Sequence, residues 1–180
     1  MTRSTPSAPL PRTGERVVLR RLGVADLPAF QGYRHDEVLG RYQGWVPQSD
    51  AQAHAFLDEM SRAALLAPGA WIQLGIADRE AGVLIGDIGI CVVADGESAE
   101  IGFTLQASSQ GRGWASEAVA LAIGLVFEHT AVTRVVGITD ARNLASIRLL
   151  ERVGLRRVSS GPAVFRGKPC VEHVHALRRP

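Results

Sequence analysis

Two glycines precede a long apolar stretch in the segment Gln110-Gly111-Arg112-Gly113-Trp114-Ala115-Ser116-Glu117-Ala118. Glycines let successive backbone N–H groups turn toward one point. The first turn of a helix adds unpaired N–H groups and a positive dipole end. Together they make an anion site suited to a phosphate or pyrophosphate. A nucleotide triphosphate loop needs Gly-Lys-Ser or Gly-Lys-Thr after its spacer, and the chain contains neither. A dinucleotide fingerprint needs a third glycine or alanine where Ser116 stands. It also needs an acidic residue at a strand end about twenty residues on. The nearest acid, Glu128, falls inside the expected helix.

The surroundings of this loop resemble a known family. Gln110-x-x-Gly113-x-Ala115 matches the Gln/Arg-x-x-Gly-x-Gly/Ala signature of the GNAT superfamily of acetyltransferases. It follows Ala99-Glu100-Ile101-Gly102-Phe103-Thr104-Leu105, which looks like the central strand of that family. Further on, Asp140-Ala141-Arg142-Asn143-x-x-Ser146 opens a helix ending at Val153-Gly154-Leu155, similar to the family's second motif. The resemblance spans Arg16 to Arg178. It is nearest to the branch that acts on ribosomal-protein N-termini, the ribosomal-protein-alanine N-acetyltransferases and their relatives.

The resemblance implies a set of roles. The activity is transfer of an acetyl group from acetyl-CoA directly to a primary amine, on a protein N-terminus or a small molecule, through a ternary complex. The alternative keeps the fold without catalysis, as a coenzyme A-binding sensor. The amides of Gln110, Gly111, Arg112, Gly113, Trp114 and Ala115, with Ser116 at the helix start, would hold the pyrophosphate. The strand edge at Phe103, Thr104 and Leu105 would pair with the pantetheine arm, and Asn143 would hydrogen-bond it. The thioester would sit where this strand and the one at Arg134–Thr139 splay apart. Homodimers are common in this branch. No metal is implied.

An amine attacks a thioester only when neutral, and a lysine-type amine has a pKa near 10.4, so the site needs a base or a depressed pKa. The developing oxyanion needs a donor. Many members of the family carry a tyrosine acid four residues before the glycine at the helix end; here that position is Leu150. Ser146 is therefore the candidate acid, three residues after Asn143 and on the same helix face. Glu100 is the first candidate base, on the strand face shared with Gly102 and Thr104. Asp87 is the second, a carboxylate inside the apolar run Leu84–Val92 that must be paired, functional or exposed. Glu172 is a third. Tyr42 and Trp45 lie where the family builds its acceptor pocket, Trp71 reads as core, and His35-Asp36-Glu37 as surface that could attract a cation. His173-x-His175 puts two imidazoles on one face, with no fourth metal ligand evident.

These residues need a scaffold that holds them. The pattern predicts a strand at Val17–Leu19, a helix to Arg34, a glycine-bearing loop from His35 to Ser49, and a helix from Ala51 to about Leu66. Strands follow at Ala70–Ala77, Val83–Val93 and Ala99–Leu105, with short turns that imply antiparallel neighbours. An apolar helix to about Thr130, a strand at Arg134–Thr139, a helix at Asn143–Val153, and strands at Arg157–Phe165 and Val171–Leu177 complete the chain. The fold class is α/β (mixed α+β): one mixed, largely antiparallel sheet of seven strands flanked by four helices.

Composition agrees with one domain at 15–180. The chain has 180 residues, 46% apolar and 21% charged. A net charge of +2 and scattered arginines give no basic stripe for nucleic acid. The longest apolar run, Ala118–Phe127, is too short for a membrane span. Residues 1–14 lack a signal-peptide core and read as a disordered tail. Two distant cysteines, Cys91 and Cys170, argue for a reducing cytoplasm.

Overall fold

In the computed structural model, residues 8–180 are described. In chain order they form β1 (Arg12–Thr13), β2 (Val17–Arg21), α1 (Leu27–Arg34), α2 (Glu37–Gly40), α3 (Asp50–Arg62), β3 (Trp71–Asp78), β4 (Leu84–Val92), β5 (Ser98–Leu105), α4 (Trp114–His129), β6 (Arg134–Asp140), α5 (Leu144–Arg152), β7 (Arg156–Phe165) and β8 (Lys168–Arg178). The strands make one sheet in the order β1-β2-β3-β4-β5-β6-β8-β7. All pairs are antiparallel except β5 with β6.

β4 lies mid-sheet and is buried along almost its whole length, which suits its unbroken apolar run. The two faces are covered by different helices. Tyr33 and Arg34 of α1 reach Asp87 on one face. On the other, Leu150 of α5 packs so closely on Gly137 that a Cβ there would meet it at 2.7 Å. α4 lies beside α5 and buries Ala118, Val119, Ala122, Ile123, Leu125 and Val126. At about 25 cal/mol per Å² of apolar surface removed from water, this face anchors the helix that carries the glycine loop.

Three elements differ from the expectation. The sheet has eight strands because Arg12 and Thr13, inside the stretch read as a tail, pair with Leu19 and Val18. Two residues carry no alternation that a sequence pattern can show; residues 1–7 lie outside the described region. α3 stops at Arg62 rather than near Leu66; the Arg21 guanidinium satisfies the last carbonyls of the helix, donating to Met60 O at 3.2 Å and Ala63 O at 2.9 Å. A fifth helix, the single turn α2, sits inside the expected loop, with Asp36 Oδ1 accepting from Val38 N and Leu39 N.

Candidate active site

β5 and β6 pair only at Ser98↔Arg134, Ala99↔Val135 and Glu100↔Val136. Beyond that point β5 runs on to Leu105 and β6 to Asp140 with no pairing between them, so the sheet opens into a V whose apex is at Glu100. Each strand keeps its outer partner, β4 for β5 and β8 for β6. The inner edges therefore offer backbone groups without a ladder partner.

Cross-strand register builds the floor on the α1 face, because directly opposed residues share a face. One row is Trp71, Cys91 and Glu100; the next is Gln73, Gly89 and Gly102; the third is Gly75, Asp87 and Thr104. Glycines at 89 and 102 hollow the middle row. A Cβ at Gly89 would meet Gln73 Oε1 at 2.8 Å and the Trp71 ring at 3.2 Å. The hollow is part of a cavity of about 660 Å³ walled by Phe30, Tyr42, Trp45, Phe56, Trp71 and Phe165 among others. Trp71 is 50% exposed and belongs to this wall rather than to the core, its ring lying over Gly89. A narrower slot continues between the splayed strands, lined by Gln43, Phe103, Gly137, Asn143, Ser146 and Leu150.

The charges of the cavity are unbalanced. Arg34 is neutralised by Asp87 at 2.8 Å, and Arg142 by Asp140 at 2.6 Å. Glu100 and Glu172 line the cavity with no ion pair among the described residues. Burial first, and then the charge of Glu172, push the Glu100 carboxyl above the usual carboxylate range. Asp87 is fully buried and accepts from the Tyr33 hydroxyl, Arg34 Nη2 and Gln73 Nε2. Burial and the neighbouring Asp87 charge push the Tyr33 phenol well above its ordinary value, so it stays a neutral donor. Asp87 thus holds the floor and the Arg34 wall together, and its oxygens do not face the cavity.

At the mouth of the V the glycine loop has the geometry expected of an anion cradle. Gly111 and Gly113 have φ of 76° and 79°, the left-handed region where a Cβ is strained. Gly113 is the N-cap of α4, and the amides from Gly111 to Ser116 donate to no backbone carbonyl among the described residues. Gln110 ties the loop to β5 through Nε2 to Leu105 O at 2.9 Å. Arg112 lies 5.4 Å over the Trp114 ring. From across the sheet, Arg16 Nη1 donates to Arg112 O at 3.1 Å, and Glu117 accepts from Arg16 N at 2.9 Å. Neither Arg16 nor Glu117 carried any signal in the sequence, being about a hundred residues apart.

Asn143 is the N-cap of α5. Its Oδ1 accepts from Ser146 N at 3.3 Å, so this oxygen orients the helix end that presents Ser146 to the slot. Leu150 is buried against Gly137. His35 and Asp36 are spent on local structure, His35 Nε2 lying 3.1 Å from Gln48 O. His173 and His175 share a face as alternation requires, with rings 6.4 Å apart. His175 is fully buried, and His173 Nδ1 lies 2.9 Å from Ser160 Oγ. Missed in the sequence were Arg34, Gln43 and Arg166, whose contacts arise only on folding. No helix among the described residues is long and apolar enough to cross a membrane.

Residues 16–156 match the acetyltransferase (GNAT) domain family. The chain is similar to the uncharacterized N-acetyltransferase YoaA of Bacillus subtilis strain 168, with 30% identity over 145 residues covering 79% of this chain and 81% of that protein. Among solved structures it is similar to a GNAT-family acetyltransferase from Bacillus anthracis, with a TM-score of 0.83, 19% identity, and coverage of 94% of this chain and 98% of that one. It is also similar to RimL, a ribosomal L7/L12 alpha-N-protein acetyltransferase in complex with coenzyme A. There the TM-score is 0.78 and the identity 16%, covering 93% of this chain and 96% of that one.

Proposed function

Because the chain belongs to the GNAT acetyltransferase family, we propose that it moves the acetyl group of acetyl-CoA directly to a primary amine within one ternary complex. The observation that carries this reading is the V between β5 and β6, with an anion cradle at its mouth and an acidic cavity at its apex. The amides of Gly111 to Ser116 hold the pyrophosphate, and the inner edge of β5 from Phe103 to Leu105 pairs with the pantetheine. Bound acetyl-CoA supplies the activated acyl group. Glu100, directly or through a water, takes the proton that the attacking nitrogen releases. The C–N bond forms, the C–S bond breaks, and the Ser146 hydroxyl donates to the departing sulfur. Holding both substrates in one cleft contributes by proximity.

Glu100 and Glu172 favour a cationic amine as it arrives, and the aromatic wall suits its apolar body. A peptide N-terminus fits this cavity, as does a small amine; the likeness to RimL supports the former. The free cysteines Cys91 and Cys170 suit a reducing cytoplasm. The test is thiol release from acetyl-CoA across a panel of amines that includes alanine- and serine-capped peptides. Release that requires the amine supports the transferase; binding of acetyl-CoA without release from any amine would replace it with the sensor.

Two variants probe the parts. Gly113→Val places a β-branched side chain at φ 79° and is expected to weaken coenzyme A binding at least about tenfold, from about 1–2 kcal/mol of strain and a blocked cradle. Calorimetric titration checks it, and unchanged affinity would remove the cradle from the site. Ser146→Ala is expected to lower kcat roughly tenfold, below the usual range of about 10²–10⁴ for a general acid because a thiolate already leaves readily. An unchanged kcat would make Ser146 part of the slot wall only.

A further inference from the structure

The loop between α2 and α3 crosses the opening of the V and is tied at both banks. On the β5 side, Gln43 Nε2 donates to Phe103 O at 3.1 Å and Trp45 Nε1 to Thr104 Oγ1 at 3.2 Å. On the far side, Arg166 at the tip of the β7–β8 hairpin donates through Nη2 to Gln43 O at 2.9 Å and Trp45 O at 2.5 Å. The Arg34 guanidinium, held by Asp87, lies 4.6 Å over the Trp45 ring. Gln43 and Trp45 are thus parts of one strap, Gln43 in the slot and Trp45 in the wall of the cavity.

Phe103 O faces the slot, since β6 offers it no partner beyond the pair at Glu100. A carbonyl so placed needs a donor. The Gln43 carboxamide supplies one, and it is the same chemical group as the amide N–H of a pantetheine arm. We propose that Gln43 is a placeholder that satisfies Phe103 O until the donor's pantetheine amide takes its place, so that donor binding is transmitted through the strap to Trp45 and the acceptor cavity. Exchange of one amide donor for another is nearly balanced in energy, which lets a modest binding event drive it. Arg166 keeps the strap attached while Gln43 swings, because its two acceptors are main-chain oxygens that the swing does not remove. Gln43 is a positioning residue for the acceptor in this scheme, acting through the strap. The inference rests on the donor reading given above.

The test is calorimetric titration of coenzyme A into the wild-type protein and Gln43→Ala, with the acceptor KM and kcat of both. Removal of the competing donor is expected to tighten coenzyme A binding about threefold to tenfold. The acceptor KM is expected to rise without a matching fall in kcat. A variant that merely damaged the fold would bind coenzyme A more weakly. Equal or weaker binding by Gln43→Ala, with the wild type binding well, overturns the placeholder and leaves the donor reading standing. No binding to either protein overturns the donor reading and this inference with it.

Discussion

Glu100→Gln is expected to lower kcat/KM for the amine by about 10²–10⁴-fold while leaving coenzyme A affinity unchanged. The side chain sits at the apex of the V, on the last of the three β5 residues that pair with β6, and lines the cavity without an ion partner among the described residues. The substitution keeps its size and removes only its ability to take a proton. Burial and the Glu172 charge raise its carboxyl above the ordinary value near 4.3. A base at Glu100 would work deprotonated, so activity is expected to be full above its raised pKa and to fall as pH drops through it. The acid limb of the wild-type profile is therefore expected above the usual carboxylate range and absent in Glu100→Gln. Initial-rate measurements on both proteins, from acid to weakly alkaline pH, check this. A loss under about threefold with the acid limb intact would pass the role to another group, Glu172 first.

The second large effect is on stability. Asp87→Ala is expected to cost about 3–5 kcal/mol, because it leaves the Arg34 charge buried and unpaired. Tyr33 and Gln73 lose their acceptor as well. Against a typical stability of about 5–15 kcal/mol, that is a large share. Asp87→Asn keeps an acceptor oxygen and the shape, and is expected to cost less. Urea denaturation of both variants measures the difference. A cost below about 1 kcal/mol for Asp87→Ala would mean that water reaches Arg34 and that the pair contributes little.

Asp87 also shows where local pattern stops informing. An acid within an apolar strand announces that it must be paired, functional or exposed, and the sequence cannot choose among these. The choice depends on α1, which delivers Tyr33 and Arg34 from more than fifty residues away. Trp71 is the reverse case. A tryptophan in an apolar strand reads as core, yet its row faces the cavity, and the ring lies over Gly89, where a Cβ would leave it no room.

What the sequence determined by itself is local. The glycine loop and the apolar helix after it, the alternation that puts Glu100 with Gly102 and Thr104, and the turns that make β3, β4 and β5 antiparallel all follow from neighbours a few residues apart. Together with the Gln110 signature, that local information sufficed for the family and for the glycine turn that opens α4. Tertiary structure alone decided that β5 and β6 part after Glu100, that Asp87 is bound rather than free, and that Gln43, Trp45 and Arg166 form a strap across the opening. Each of these depends on groups that meet from distant parts of the chain. Their energies come from burial and from satisfying buried polar atoms, and no window of the sequence contains both partners.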